Sequence, residues 1–122
     1  MELSSYSDLG LLILRVAVGA VFLAHGPIKI TKANTMSQGM GVHANMVMLL
    51  GVAETFAAVA MILGRFTTLA ALIIMVVMAG ATYFKTQKWG KKFTGENGWE
   101  LDFTLFAAAL SLLCLGAGAY VL

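Results

Sequence analysis

Residues 9–30 read LGLLILRVAVGAVFLAHGPIKI, and the fold follows from this stretch. It is about twenty residues of mostly apolar chain, the length that crosses a ~30 Å hydrocarbon core at 1.5 Å per helical residue. Yet it holds Arg15, His25 and Lys29. A charge at membrane depth costs about 2.5–3.5 kcal/mol on insertion scales, so these residues ask for partners or for a function. Arg15, Gly19, Phe22, Gly26 and Lys29 fall at helical spacing on one stripe, with His25 beside it. The glycines between the charges allow a second helix to approach closely. Pro27 lacks an N–H and its ring crowds the carbonyl of Leu23, which predicts a kink or the end of regular helix near His25-Gly26-Pro27.

Three further apolar stretches follow, at 45–64, 66–84 and 103–122. Of the 122 residues, 60% are hydrophobic and 11% charged, with a mean hydropathy of +0.88; soluble domains carry about 25% charge. The expectation is one integral membrane domain over 1–122, an all-α antiparallel four-helix bundle running up-down-up-down. The first stretch is not read as a cleavable signal: it carries Glu2 and Asp8 in place of a basic flank. The single cysteine, Cys114, rules out an internal disulfide and a CxxC pair, and with them a membrane thiol oxidoreductase. The net charge of +2 lies in loops, with no pattern that suggests nucleic acid.

Four spans put both termini on one side. Lys29, Lys32, Lys85, Lys88, Lys91 and Lys92 gather at the other, where the two long loops lie. Lysine enrichment in short loops marks the cytoplasmic face, so the loops are expected in the cytoplasm and the termini outside. The loop 85–102, KTQKWGKKFTGENGWELD, carries Trp89, Phe93 and Trp99 among its lysines. It reads as an interfacial belt, with a docking surface for a soluble partner as the other reading. The loop 31–44 and the residues after it hold Met36, Met40, His43, Met46 and Met48. Flexible loop and packing methionines are favoured there over a Cu(I) site, and no metal is expected.

Each later span also has one small or polar face: Gly51, Glu54, Thr55, Ala58 and Met61; Thr68, Ala71, Met75, Met78, Ala79 and Thr82; Glu100, Thr104, Ala107, Ser111, Cys114 and Gly118. Glu54 lies ~13 Å from the loop end of its span. Counted from the span ends, that depth falls near residue 21 of the first helix, between Arg15 and His25. The expectation is a polar cavity deepest at Arg15 and Glu54, opening past His25, Lys29 and Glu100 at the loop face. These five residues would bind a ligand or relay protons. The alternative is a buried Arg15–Glu54 pair that only sets the helix register, with Lys29 snorkelling to the interface.

Leu14-Arg15, Gly19, Phe22, His25-Gly26 and Lys29 resemble the first-helix signature of the DoxX family. Gly51 and Glu54, Leu63-Gly64-Arg65, Asn97-Gly98-Trp99-Glu100, and Gly116, Gly118 and Tyr120 are similar in the same order. The resemblance implies a small four-helix inner-membrane protein of bacteria or archaea. Relatives are described as membrane subunits of quinone-linked oxidoreductases, including thiosulfate:quinone oxidoreductase. The residues carried over are Arg15, His25, Lys29, Glu54 and Glu100. Pro27, and an end close to Tyr120 without a longer polar tail, depart from the pattern.

The expected function is therefore a membrane subunit of a redox complex whose pocket takes a quinone-like or other small amphipathic ligand. Its partners would be the lipid bilayer, a soluble or membrane redox partner, or further copies of itself. With no dithiol and no bis-histidine haem pair, electrons must come from a partner or a bound cofactor, so the chain is not a catalyst alone. The competing reading is a scaffold, an assembly factor or a small transporter, although no internal repeat supports the last.

Overall fold

The computed structural model describes residues 6–95 and 98–121. Glu2, Asn97 and the 122 end of the fourth expected span lie outside them. The described chain is all helical: α1 Ser7–Thr31, α2 Ala33–Met40, α3 Ala44–Leu63, α4 Thr67–Tyr83, a π-helical turn Phe84–Lys88, and α5 Glu100–Leu115. Three helical segments, Ser7–Thr31, Ala44–Leu63 and Thr67–Lys88, are long and apolar enough to cross a membrane. Their outward faces carry Ile13, Leu23, Val52, Val59, Leu69 and Val76, all exposed. That much exposed hydrocarbon suits lipid rather than water.

The buried face of α1 is Arg15, Val18, Gly19, Phe22 and Gly26, the stripe its periodicity predicts. It packs on α3, which buries Gly51, Glu54, Ala58 and Met61 among others. The two helices run antiparallel with their backbones almost touching. A Cβ built on Gly26 would lie 2.9 Å from Thr55 N and 3.1 Å from Gly51 O; one on Gly19 would lie 2.9 Å from Ala58 O. α4 packs on α3 and α5, burying Ile74, Met78, Leu105, Ala109 and Leu112 in one apolar core with Phe22 and Met61.

The structure adds detail at four places, and at two of them, residues 33–40 and the end of the last helix, it changes the expectation. Residues 33–40 are helical rather than a flexible loop, and α2 ends on Gly41 in the left-handed conformation that favours glycine. His43 is the N-cap of α3: its Nδ1 accepts from Asn45 N at 3.1 Å, a backbone role like that of other capping side chains. Pro27 does not end α1, which continues to Thr31. The ring sits in the last turns, where it removes one intrahelical bond, and the next residues are held by Lys32 N bonding Ile28 O at 2.8 Å. The last helix stops at Leu115, because Gly116 and Gly118 take φ of 83° and 82° and turn the chain away.

The faces of the last two helices also differ from the expected ones. α4 buries Thr67, Ala70, Ala71, Ile74 and Met78 and leaves Thr68 and Ala79 exposed, a rotation of about one residue. α5 turns its small and polar stripe outward: Glu100, Thr104, Ala107, Ser111 and Cys114 are exposed. The hydroxyls explain why this is tolerated. Thr104 Oγ1 donates to Glu100 O at 2.9 Å and Ser111 Oγ to Ala107 O at 3.0 Å, so neither needs a partner from another helix. Inward go Asp102, Leu105, Ala109 and Leu112.

Candidate functional site

The glycine contacts set the register that places the charges. Gly26 lies against Gly51 and Thr55, Gly19 against Ala58 and Ile62, and the Arg15 guanidinium against Gly64. Glu54 and Gly64 are ten residues apart, or ~15 Å along α3. Arg15 and Glu54 therefore do not pair, which corrects the depth estimated from the span ends. Glu54 pairs with Lys29 instead, Oε2 to Nζ at 2.6 Å. The carboxylate side chain is 2% exposed and the ammonium side chain 17%. Gly51 makes room for this contact, since a Cβ there would lie 2.9 Å from Lys29 Cβ and 2.8 Å from Gly26 O.

Arg15 is 0% exposed. Its Nη2 donates to the carbonyl of Tyr120, while Nε and Nη1 have no hydrogen-bond partner among the described residues. The acceptor belongs to the non-helical segment 116–121, which folds back over the start of α1. Asp8 Oδ1 accepts from Ala119 N at 3.1 Å, and Gly118 rests against Leu11. On the other side, Gly64 in the left-handed conformation caps α3, and a methyl group there would overlap Arg15 Nη1. Gly64→Ala should thus combine backbone strain of about 1–2 kcal/mol with displacement of the guanidinium. A lowered unfolding midpoint in detergent checks this; an unchanged midpoint would contradict the packing.

Tyr120, whose carbonyl accepts from Arg15, also lines an apolar cleft of about 480 Å³ together with Leu12, Val16, Ile62, Ala119 and Val121. His25 and Glu100 are exposed, and neither joins Arg15 or the Lys29–Glu54 pair through a hydrogen bond. Among the described residues, the single cavity expected from sequence is thus replaced by three separate polar places: Arg15 near the α3–α4 turn, Lys29–Glu54 between α1 and α3, and a pair that sequence reasoning missed. In that last pair Lys85 Nζ meets Asp102 Oδ2 at 2.8 Å and also donates to Gly98 O at 3.3 Å. Asp102 read as the last loop residue, but helix α5 starts at Glu100 and the third position of its first turn faces inward. The i, i+3 spacing of Asp102 with Leu105 was the available signal.

A DoxX family model matches residues 10–87, the part of the chain that holds most of α1, all of α2 to α4 and the close glycine contacts between α1 and α3. The chain belongs to the DoxX family of membrane proteins. It is similar to a protein from Haemophilus influenzae (strain ATCC 51907 / DSM 11121 / KW20 / Rd) described as "Uncharacterized protein", at 34% identity over 125 residues, covering 99% of this chain and 93% of that one. No solved structure matches it.

Proposed function

We propose that this protein is the ligand-binding membrane subunit of a quinone-linked redox complex, with Arg15 as the group that meets the ligand head. One observation carries the reading: a fully buried guanidinium with two N–H-bearing nitrogens unpartnered among the described residues, separated from an apolar cleft by Tyr120, which lines that cleft and accepts from the guanidinium. Buried donors without acceptors are costly, and a quinone carbonyl or similar acceptor would satisfy one of them. The apolar walls suit the ring and tail of such an amphiphile, and about 480 Å³ lies within the usual range for small-molecule sites. Lys29–Glu54 then acts as a pin between α1 and α3 rather than as part of the head-binding site.

In this reading α5 completes an antiparallel up-down-up-down bundle in a bacterial inner membrane. The end of the molecule that carries Lys29, Lys32 and the lysines of 85–92 lies in the cytoplasm, and the termini lie outside. With one cysteine and no haem-ligand pair in the bundle, the chain needs a redox partner. The outward small and polar stripe of α5 is where we place a second membrane chain, since small residues allow close helix approach. Cys114 lies on that stripe, so a crosslink through it reports the neighbour.

The test uses the full chain in lipid nanodiscs and a short-chain benzoquinone. Arg15→Met should weaken binding by about ten- to a hundred-fold, the value of a hydrogen bond to a charged group, with Arg15→Lys between it and the wild type. Val16→Trp should block the cleft without touching the guanidinium. Unaltered quinone binding in folded Arg15→Met and Val16→Trp proteins would remove this reading and favour a scaffold.

A further inference from the structure

The opposite end of the molecule holds a second cleft, of about 490 Å³, between the end of α2 and the π-turn, lined by Gly39, Met40, Lys85, Trp89 and Lys91. Four lysines lie within 84–95: Lys85, Lys88, Lys91 and Lys92. They are not equivalent. Lys85 is neutralised by Asp102. Lys88 lies over the Phe84 ring, 5.3 Å from its centroid, and donates to Gly41 O at 3.2 Å, which offsets the negative carbonyl end of α2. Lys91 and Lys92 have no carboxylate in ion-pair range among the described residues. Among the described residues that line the cleft, Lys91 is thus the lysine without a carboxylate partner.

The π-helical turn contributes to this shape. Trp89 N bonds Phe84 O at 2.9 Å, and Lys91 N bonds back to Lys85 O, so the chain doubles over and brings Lys85, Trp89 and Lys91 to one opening. π-turns of this kind are common at functional sites. The position supplies the rest of the argument. The cleft lies at the end of Thr67–Lys88, an apolar helix long enough to span a bilayer, hence at headgroup depth. Nearby, Phe93, Trp99 and Phe103 form an edge-to-face cluster with centroids 4.6–6.1 Å apart, as expected of an interfacial aromatic belt.

We propose that this cleft binds the phosphate headgroup of an anionic phospholipid. Lys91 anchors the phosphate, and Trp89 and Met40 lie along the glycerol and first methylenes, while Lys85 stays paired with Asp102 as a wall of the cleft. Basic pockets between membrane helices at the cytoplasmic side take anionic headgroups by the same chemistry. The proposal is independent of the Arg15 site, which lies near the α3–α4 turn at the other end of α3.

The test is native mass spectrometry of the full chain in mild detergent with an equimolar mixture of dioleoyl phosphatidylglycerol and dioleoyl phosphatidylcholine. Wild type should retain the glycerol lipid in preference to the choline lipid. Lys91→Gln should lose about five-fold of that retention, the factor one lysine contributes near an anionic surface. Lys32→Gln, an exposed lysine outside the cleft, should behave as wild type. Equal retention of the two lipids, or equal behaviour of the two variants, would overturn the proposal. Displacement of the lipid by millimolar inorganic phosphate would also overturn it, assigning the cleft to a soluble phosphate compound instead.

Discussion

Lys29→Met is expected to destabilise the protein by about 3–5 kcal/mol, the penalty for stranding one partner of a buried ion pair. Glu54 would be left as a carboxylate 2% exposed, between two helices whose backbones are in contact. The reverse change, Glu54→Gln, should cost less than half as much. Lys29 lies two residues from the end of α1 and is already 17% exposed, so its ammonium can snorkel to the interface. The double variant Lys29→Met/Glu54→Leu should recover most of the loss, because well-packed apolar groups replace such pairs at little cost. Unfolding of all three in a detergent–SDS titration measures this ordering. Equal losses for the two single variants, or a double variant worse than both, would show that the pair is not isolated as described.

Gly51→Ala should come next in effect. The added Cβ meets Gly26 O at 2.8 Å and Lys29 Cβ at 2.9 Å. The first is backbone, so no rotamer change relieves it and α1 must move off α3. Overpacking of this kind costs about 1–3 kcal/mol, and here it also stretches the Lys29–Glu54 contact. The loss should therefore be smaller in the Lys29→Met/Glu54→Leu background, since neighbouring changes are not additive. Gly80→Ala is the matched control: nothing lies within 4 Å of its Cβ, and the change should be neutral or stabilising by up to about 1 kcal/mol. A Gly51→Ala protein as stable as Gly80→Ala would contradict the close approach of the two helices.

These expectations rest on features of differing legibility. The inner face of α1 could be read directly, because Arg15, Gly19, Phe22 and Gly26 repeat at helical spacing in an otherwise apolar run. The face of α3 was legible for the same reason. The face of α5 was not. Its small and polar stripe looked inward by composition, but Thr104 and Ser111 bond their own helix, and a self-satisfied hydroxyl can face lipid. Asp102 took the inward place and found Lys85 across from it. The partner of Glu54 was misassigned because depth was counted from the span ends, whereas contact between glycines sets the register.

By itself the sequence determined that this is a helical membrane protein, which residues on α1 and α3 turn inward, and that Arg15 and Glu54 would lie at membrane depth; its motifs carried the resemblance to the DoxX family. Periodicity and hydropathy act along one helix at a time, and those properties belong to single helices. Only the tertiary structure decided which charges meet. Gly26 against Gly51 puts Lys29 on Glu54, and Gly64 with the folded-back 116–121 segment leaves Arg15 with the Tyr120 carbonyl and two nitrogens that have no partner among the described residues. A shift of one helical turn between two helices moves a side chain by ~5 Å, more than the reach of any hydrogen bond. Pairing is therefore a property of the register between helices, which no single segment contains.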